Sequence, residues 1–344
     1  MTRRVRNALI VLLLALCMAM VAGSLLVGSA DLSLAQAWQE WRNHTPMQDA
    51  PALSVLMQQR LPRTLAALIA GCGLALAGCS FQALLRNPLA TPYTLGIASA
   101  GALGAWTATI LTQGYGFSLA MFGPQPVQAL AFLFAAADMA VVYFLAATRT
   151  RVSPSVLLLA GVTMGMLSNS GILLMRYLAD PERLVMMDRW LMGGVDVLGY
   201  QPIKILFIGV MPCVLILLAQ ASKFDQLGFG VEVAAGRGVN VKLLQIVTFV
   251  VGSLMTAIIV SIVGPIGFVG LLVPHGVRTI TGSRHRMLMP LSAAAGGGFL
   301  CFCDIVGRKL VSGEFPIGIV TSLIGGPFFL YLLMRRSFTD WESN

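Results

Sequence analysis

The sequence predicts an all-α membrane protein, on three observations. Hydrophobic residues make up 57% of its 344 residues and charged residues only 11%, against roughly 25% charged in an ordinary soluble domain. The apolar residues come in blocks of helix-spanning length, about 20 residues for a hydrocarbon core roughly 30 Å thick, and the mean hydropathy is +0.82. The Lys and Arg residues fall in short clusters between these blocks, so the net charge of +9 reflects topology and not the single basic face of a nucleic-acid binder.

Taken in order, the candidate spans are 8–29, 64–83, 93–112, 127–147, 154–175, 203–220, 243–263, 266–280, 287–310 and 316–334, about ten transmembrane helices in all. Met1 to Asn7, with Arg3, Arg4 and Arg6, has the look of a secretory leader, but the apolar run to Val27 exceeds the 7 to 15 residues of a leader core. It is expected to be the first retained span. In the second span Ala67, Gly71, Ala75 and Cys79 recur every four residues, a spacing that lets helix backbones approach in lipid. Ala98, Ala102 and Trp106 repeat this less regularly in the third, and Ala293 to Gly298 is a further run of small residues. The eighth span is too short to cross alone and is expected inside protein. Near the end of the ninth, Asp304 and Arg308 have i,i+4 spacing and read as a helix-surface pair.

Arg86, Lys223, Arg237, Arg284 and the terminal basic groups at Arg3 and Arg335 fall on one side if both N- and C-termini are cytoplasmic. The two long loops on the other side, 30–63 and 176–202, hold half of the 14 acids. The chain then reads as a single polytopic domain, 1–344, whose longest internal loop, 223–242, breaks into short helices at Gly236 and Gly238.

Several function classes are excluded. There is no G-x-x-x-x-G-K-[ST] loop, and Gly228-Phe229-Gly230 lacks the strand of a dinucleotide fingerprint. The chain is therefore expected not to be an enzyme, and any ATP hydrolysis falls to a separate subunit. His44, His275 and His285 accompany no nucleophile. The six cysteines lie in apolar blocks without His at ligand spacing, so no metal or disulfide is expected. Asp138, a carboxylate mid-span, reads either as the proton carrier of a secondary transporter or as a residue paired to a neighbouring helix.

One block runs Arg60-Leu61-Pro62-Arg63-Thr64, then Gln82-Ala83-Leu84-Leu85-Arg86-Asn87-Pro88-Leu89-Ala90-Thr91-Pro92, then Leu95-Gly96. Others follow in order: Leu157 to Val162, Gly267 to His275, Asp304 to Arg308, and Glu314 to Thr321. Together these resemble the iron-siderophore, haem and vitamin B12 permease family, the transmembrane subunits of type II ATP-binding-cassette (ABC) importers, over nearly the whole chain. The resemblance implies a bacterial inner-membrane permease that carries an iron(III)-siderophore, haem or vitamin B12 from periplasm to cytoplasm. It implies a second permease subunit, identical or homologous, two cytoplasmic ABC ATPases that hold the ATP and Mg, and a periplasmic substrate-binding protein; no cofactor is expected in this chain. An oxyanion importer, as for molybdate, and a proton-coupled carrier remain the alternatives.

The resemblance also implies site residues. Arg60, Arg63 and Arg308 fall where the family receives acidic residues of the binding protein, with headgroup anchoring as the plainer reading. Asn87 and Leu89 match gate positions, and Ser153 and Ser155 flank Pro154 in a second constriction; simple capping turns are the alternative. Gly230, Glu232, Ala234, Gly238 and Val239 match the ATPase-coupling segment, although Val231 here precedes the acid and Arg237 replaces an apolar residue. On the fifth span Met164, Met166, Ser168 and Asn169 are the expected translocation path.

Overall fold

The computed structural model describes residues 3–28, 33–44, 46–114, 125–146, 154–179, 181–197, 199–310 and 315–334. Among these the helices follow as α1 (Arg3–Leu26), α2 (Leu34–Arg42), α3 (Pro51–Ser54), α4 (Leu61–Leu85), α5 (Ile97–Thr109), α6 (Pro126–Ala146), α7 (Pro154–Leu178), α8 (Pro181–Leu191), α9 (Gln201–Ala219), α10 (Ala221–Leu227), α11 (Val231–Gly236), α12 (Val241–Val263), α13 (Val269–Thr281), α14 (His285–Leu310) and α15 (Ile317–Met334). No strand occurs among the described residues. Wider, π-type turns over Val55–Arg60 join α3 to α4, making one helix from Pro51 to Leu85. This helix, α1, α6, α7, α9, α12 and α14 are the seven long and apolar enough to cross a membrane; α5 and α15 are shorter apolar helices.

Helix α4 is the axis of the bundle, packed by α9, α12, α13 and α14. Its small residues make this possible. Gly71 meets Gly296 of α14 and Gly78 meets Gly270 of α13, so closely that a Cβ on any of the four would overlap opposing backbone or side chain. Dispersion between close backbones holds helices together in lipid, where burial of apolar surface supplies little. The 13-residue α13 lies against both α4 and α14, as its shortness led us to expect. Phe81 of α4, Phe249 of α12 and Tyr143 of α6 fill the middle, with ring centroids 5.8 and 5.4 Å apart.

A second packing centre forms around the fully buried Trp106 of α5, with Ala131 of α6, Ile172 of α7 and Met187 of α8. Gly101 and Gly104 face Ala131 and Leu130, which sets α5 and α6 antiparallel, while Gly161 and Gly171 face Leu95 and Leu103, which sets α5 and α7 parallel. Helix α8 is tied across the ends of these helices by an Arg176–Asp188 ion pair of 2.8 Å. Helix α1 is peripheral but integrated: its Cys17 lies at Gly298 of α14, and its Ser24 is fully buried.

Candidate functional site at the two ends of the bundle

The end holding the C-terminus of α1 and the start of α4 carries a buried ion cluster. Asp304 of α14, fully buried, accepts from Arg63 Nε at 2.9 Å and pairs through its other oxygen with Arg308. The i,i+4 pairing expected from sequence is thus present, with a long-range partner added. Arg63 also reaches Asp196 at 3.0 Å. Arg308 Nη1 donates to the Val27 carbonyl at 2.5 Å, and Nη2 to the Ser24 carbonyl and hydroxyl at 3.0 and 2.8 Å. Arg60 Nη1 donates to the carbonyls of Leu25 and Leu26 at 3.2 and 2.6 Å.

From sequence Arg60 and Arg63 flank Pro62 at the start of a helix, where positive charge is disfavoured; the helix in fact runs unbroken from Pro51, so neither stands at its N-terminus. The last carbonyls of a helix lack intrahelical partners and carry partial negative charge, and Arg60 and Arg308 cap those of α1. Both residues are buried, at 4% and 7% exposure, and their guanidiniums turn inward. Arg63 lies nearer the surface, beside the half-exposed Asp196, which Arg189 approaches at 3.6 Å. Arg189, Trp190, Asp196 and Pro316 line an open cavity of about 270 Å³ there.

At the opposite end, α4 stops at Arg86, whose φ of 49° is left-handed. Asn87 and Leu89 occupy the connecting loop, where the Asn87 side chain accepts from the Leu89 N–H at 2.9 Å. The loop ends at Leu95, packed on Gly161 of α7. Ser155 is exposed in the first turn of α7, and Ser153 lies outside the described residues.

The expected coupling residues divide. Ala234 is fully buried and Val239 nearly so, so they hold α11 against the bundle. Glu232 is exposed. Gly230 and Gly238 adopt φ of 121° and 84°. Beside them Phe229, Val231 and Val233 are exposed, with Arg237 lying 5.3 Å above the Phe229 ring.

On α7, Ser168 is buried and Met164 packs partly into the core. Asn169 is exposed, and it shares its face with Thr163, Met166 and Ser170. Met166, Asn169 and Ser170 have i,i+3,i+4 spacing, with Thr163 one turn before them. Asp138 is 3% exposed, both carboxylate oxygens lack a hydrogen-bond partner among the described residues, and one lies against Gly96. The neighbour-helix pairing considered from sequence is not observed.

The FecCD transport family matches residues 12–335. The hemin transport system permease protein HmuU of Yersinia pestis is 32% identical over 325 residues, 94% of each chain. The vitamin B12 import system permease protein BtuC of Vibrio cholerae is 34% identical over 331 residues, 94% of this chain and 93% of that one. The molybdate import system permease protein MolB of Haemophilus influenzae is 34% identical over 316 residues, 91% of each. A solved inward-facing ABC transporter structure superposes with a TM-score of 0.81 at 30% identity, covering 96% of this chain and 99% of that one. With glycine-packed apolar helices, a buried charge cluster at one end and a looped, short-helix segment at the other, this multi-pass membrane protein belongs to the FecCD transport family as a permease subunit of an ABC importer.

Proposed function

We propose that the chain crosses the bacterial inner membrane ten times, α5, α13 and α15 completing the count, with both termini cytoplasmic, and that it imports an iron(III) chelate or a related metal-containing cofactor such as haem or vitamin B12. The observation that carries the cargo class is the exposed face of α7. Thr163, Met166, Asn169 and Ser170 bring mixed polarity to a membrane helix, without a charge among them. Polar side chains facing lipid are costly, so this face suits the seam between two permease copies, where a bulky, coordinatively saturated ligand passes without being stripped. Asn87 and Leu89, with Ser153 and Ser155, close that path on the cytoplasmic side. Arg63 and Asp196, backed by Arg60 and Arg308, present the rim that receives a periplasmic binding protein. Phe229, Val231, Glu232 and Val233 meet a cytoplasmic ABC ATPase, with Gly230, Ala234, Gly238 and Val239 shaping the segment. A second reading, oxyanion import, is favoured by one observation, the similarity to MolB.

The test is reconstitution. The permease, the ATPase and the binding protein encoded beside it are placed in proteoliposomes, and the native ligand of the purified binding protein is identified. Uptake that requires ATP and survives an uncoupler is expected, with an iron chelate, haem or corrinoid as the ligand. A bound molybdate would select the oxyanion reading, and uptake abolished by uncoupler alone would overturn both.

A further inference from the structure

The loop that follows α4 and the coupling segment that follows α10 are 141 residues apart in sequence, yet one side chain joins them. Arg86 Nη2 donates to the backbone carbonyl of Leu227 at 2.6 Å. Both ends of this contact are distinctive. Arg86 holds a left-handed backbone, φ 49° and ψ 36°, a conformation uncommon for a residue with a side chain, and that turn aims the guanidinium toward α10 instead of along α4. Leu227 is the last residue of α10 and is buried, and its carbonyl also accepts the N–H of Gly230 at 3.1 Å. The acceptor thus sits at the root of the exposed Phe229 turn.

On the α10 side the contact has a firm base. Helix α10 is clamped to the start of α14, where the Asp225 carboxylate accepts from the His285 backbone N–H at 2.5 Å and Arg286 Nε donates to the Ser222 hydroxyl at 2.8 Å. The loop beyond Arg86 has no such clamp on α10; its first residue, Asn87, organises the turn locally through Leu89. A charged donor makes a hydrogen bond roughly twice as strong as a neutral one. Displacement of α10 and its Phe229 turn is therefore felt by the loop first through Arg86.

We propose that Arg86 is the positioning residue that links ATPase docking to the gate: its guanidinium on the Leu227 carbonyl carries movement of the coupling segment into the Asn87–Leu89 loop. This rests on the reading of that loop as gate and of the Phe229 segment as the ATPase surface, and the experiment separates the two. The assembled permease–ATPase complex in nanodiscs carries Leu89→Cys as a reporter, and labelling by a polar maleimide is timed with and without ATP and vanadate. The native cysteines, buried or half-buried, set the background.

With Arg86 intact, nucleotide is expected to change the labelling rate by about tenfold, the size associated with one hydrogen bond from a charged donor. With Arg86→Ala the ATPase stays bound and turns over, but the nucleotide effect on labelling disappears. Arg86→Lys, which retains a donor, restores a good part of it, a rescue that a purely structural role would not require. Arg86→Met, of similar reach but without a donor, gives the same readout should the alanine variant fail to assemble. A nucleotide effect unchanged in Arg86→Ala or Arg86→Met overturns the proposal while leaving the gate reading in place. No effect even with Arg86 intact, in a complex that hydrolyses ATP, overturns the gate reading and the proposal with it.

Discussion

Arg63 Nε lies 2.9 Å from Oδ1 of Asp304, joining α4 to α14 across 241 residues of sequence. Because Asp304 is fully buried and also pairs with Arg308, it is the shared anion of two guanidiniums. Removing one member of a buried pair leaves an uncompensated charge and costs about 3–5 kcal/mol. Asp304→Asn is therefore expected to lower the thermal midpoint of the purified permease sharply and to reduce its yield from membranes, and Arg308→Glu to do the same. Arg189→Ala, which removes a 3.6 Å contact between two exposed side chains, should change stability by less than about 1 kcal/mol. Equal midpoints for Asp304→Asn and the parent would contradict the cluster's structural role.

Gly238 has a φ of 84° and open space where a Cβ would be. Backbone conformation, and not crowding, is what excludes a side chain there. Placing an L residue in the left-handed region costs about 1–2 kcal/mol, more for a β-branched side chain than for Asn. In pull-downs of the ATPase, Gly238→Val is expected to retain least, Gly238→Asn more, and Gly236→Ala, also in open space but at an ordinary φ, about as much as the parent. A reversed order would remove the backbone argument.

Among the described residues Asp138 has no hydrogen-bond partner for either oxygen, and it is 3% exposed; α5 carries no charge, and Arg176 and Lys242 stand at the ends of α7 and α12. A buried polar group left unsatisfied costs about 1–3 kcal/mol. Asp138→Val should thus raise the thermal midpoint. If transport falls while stability rises, the carboxylate serves function at the loop end beside Gly96. If the midpoint falls instead, Asp138 has a partner in the assembled transporter.

Topology gives a direct check on orientation. Reporter fusions placed after residues in 181–197 should read periplasmic, and fusions within 223–240 cytoplasmic. The opposite pattern would exchange the binding-protein and ATPase ends of the bundle.

The long apolar helices, and the short α13, were legible because the bilayer forces every backbone group to bond locally, whereas α2, α3 and α8 lie in the segments 30–63 and 176–202 that read from sequence as loops. Packing phase was less so. Met164 and Ser168 turn inward where Met166 and Asn169 are exposed, because each residue along α7 turns by about 100° and residue type does not report that angle. Charge partners were harder still: Asp304 and Arg308 announce themselves by spacing, whereas Arg63 and the α1 carbonyls capped by Arg60 come from remote segments. Arg86 falls in the same group. Its partner is a backbone carbonyl at Leu227, and a carbonyl leaves no trace in residue type.

The backbone-to-backbone contacts of Gly71 with Gly296 and of Gly78 with Gly270 have a mechanical consequence. Close packing transmits displacement and resists compression, and a helix that touches its neighbours through bare backbone has no side-chain slack in which to slide. Helix α4 is bolted in this way to α13 and α14, so the three form one chassis, and a push on any of them is expected to move all three together.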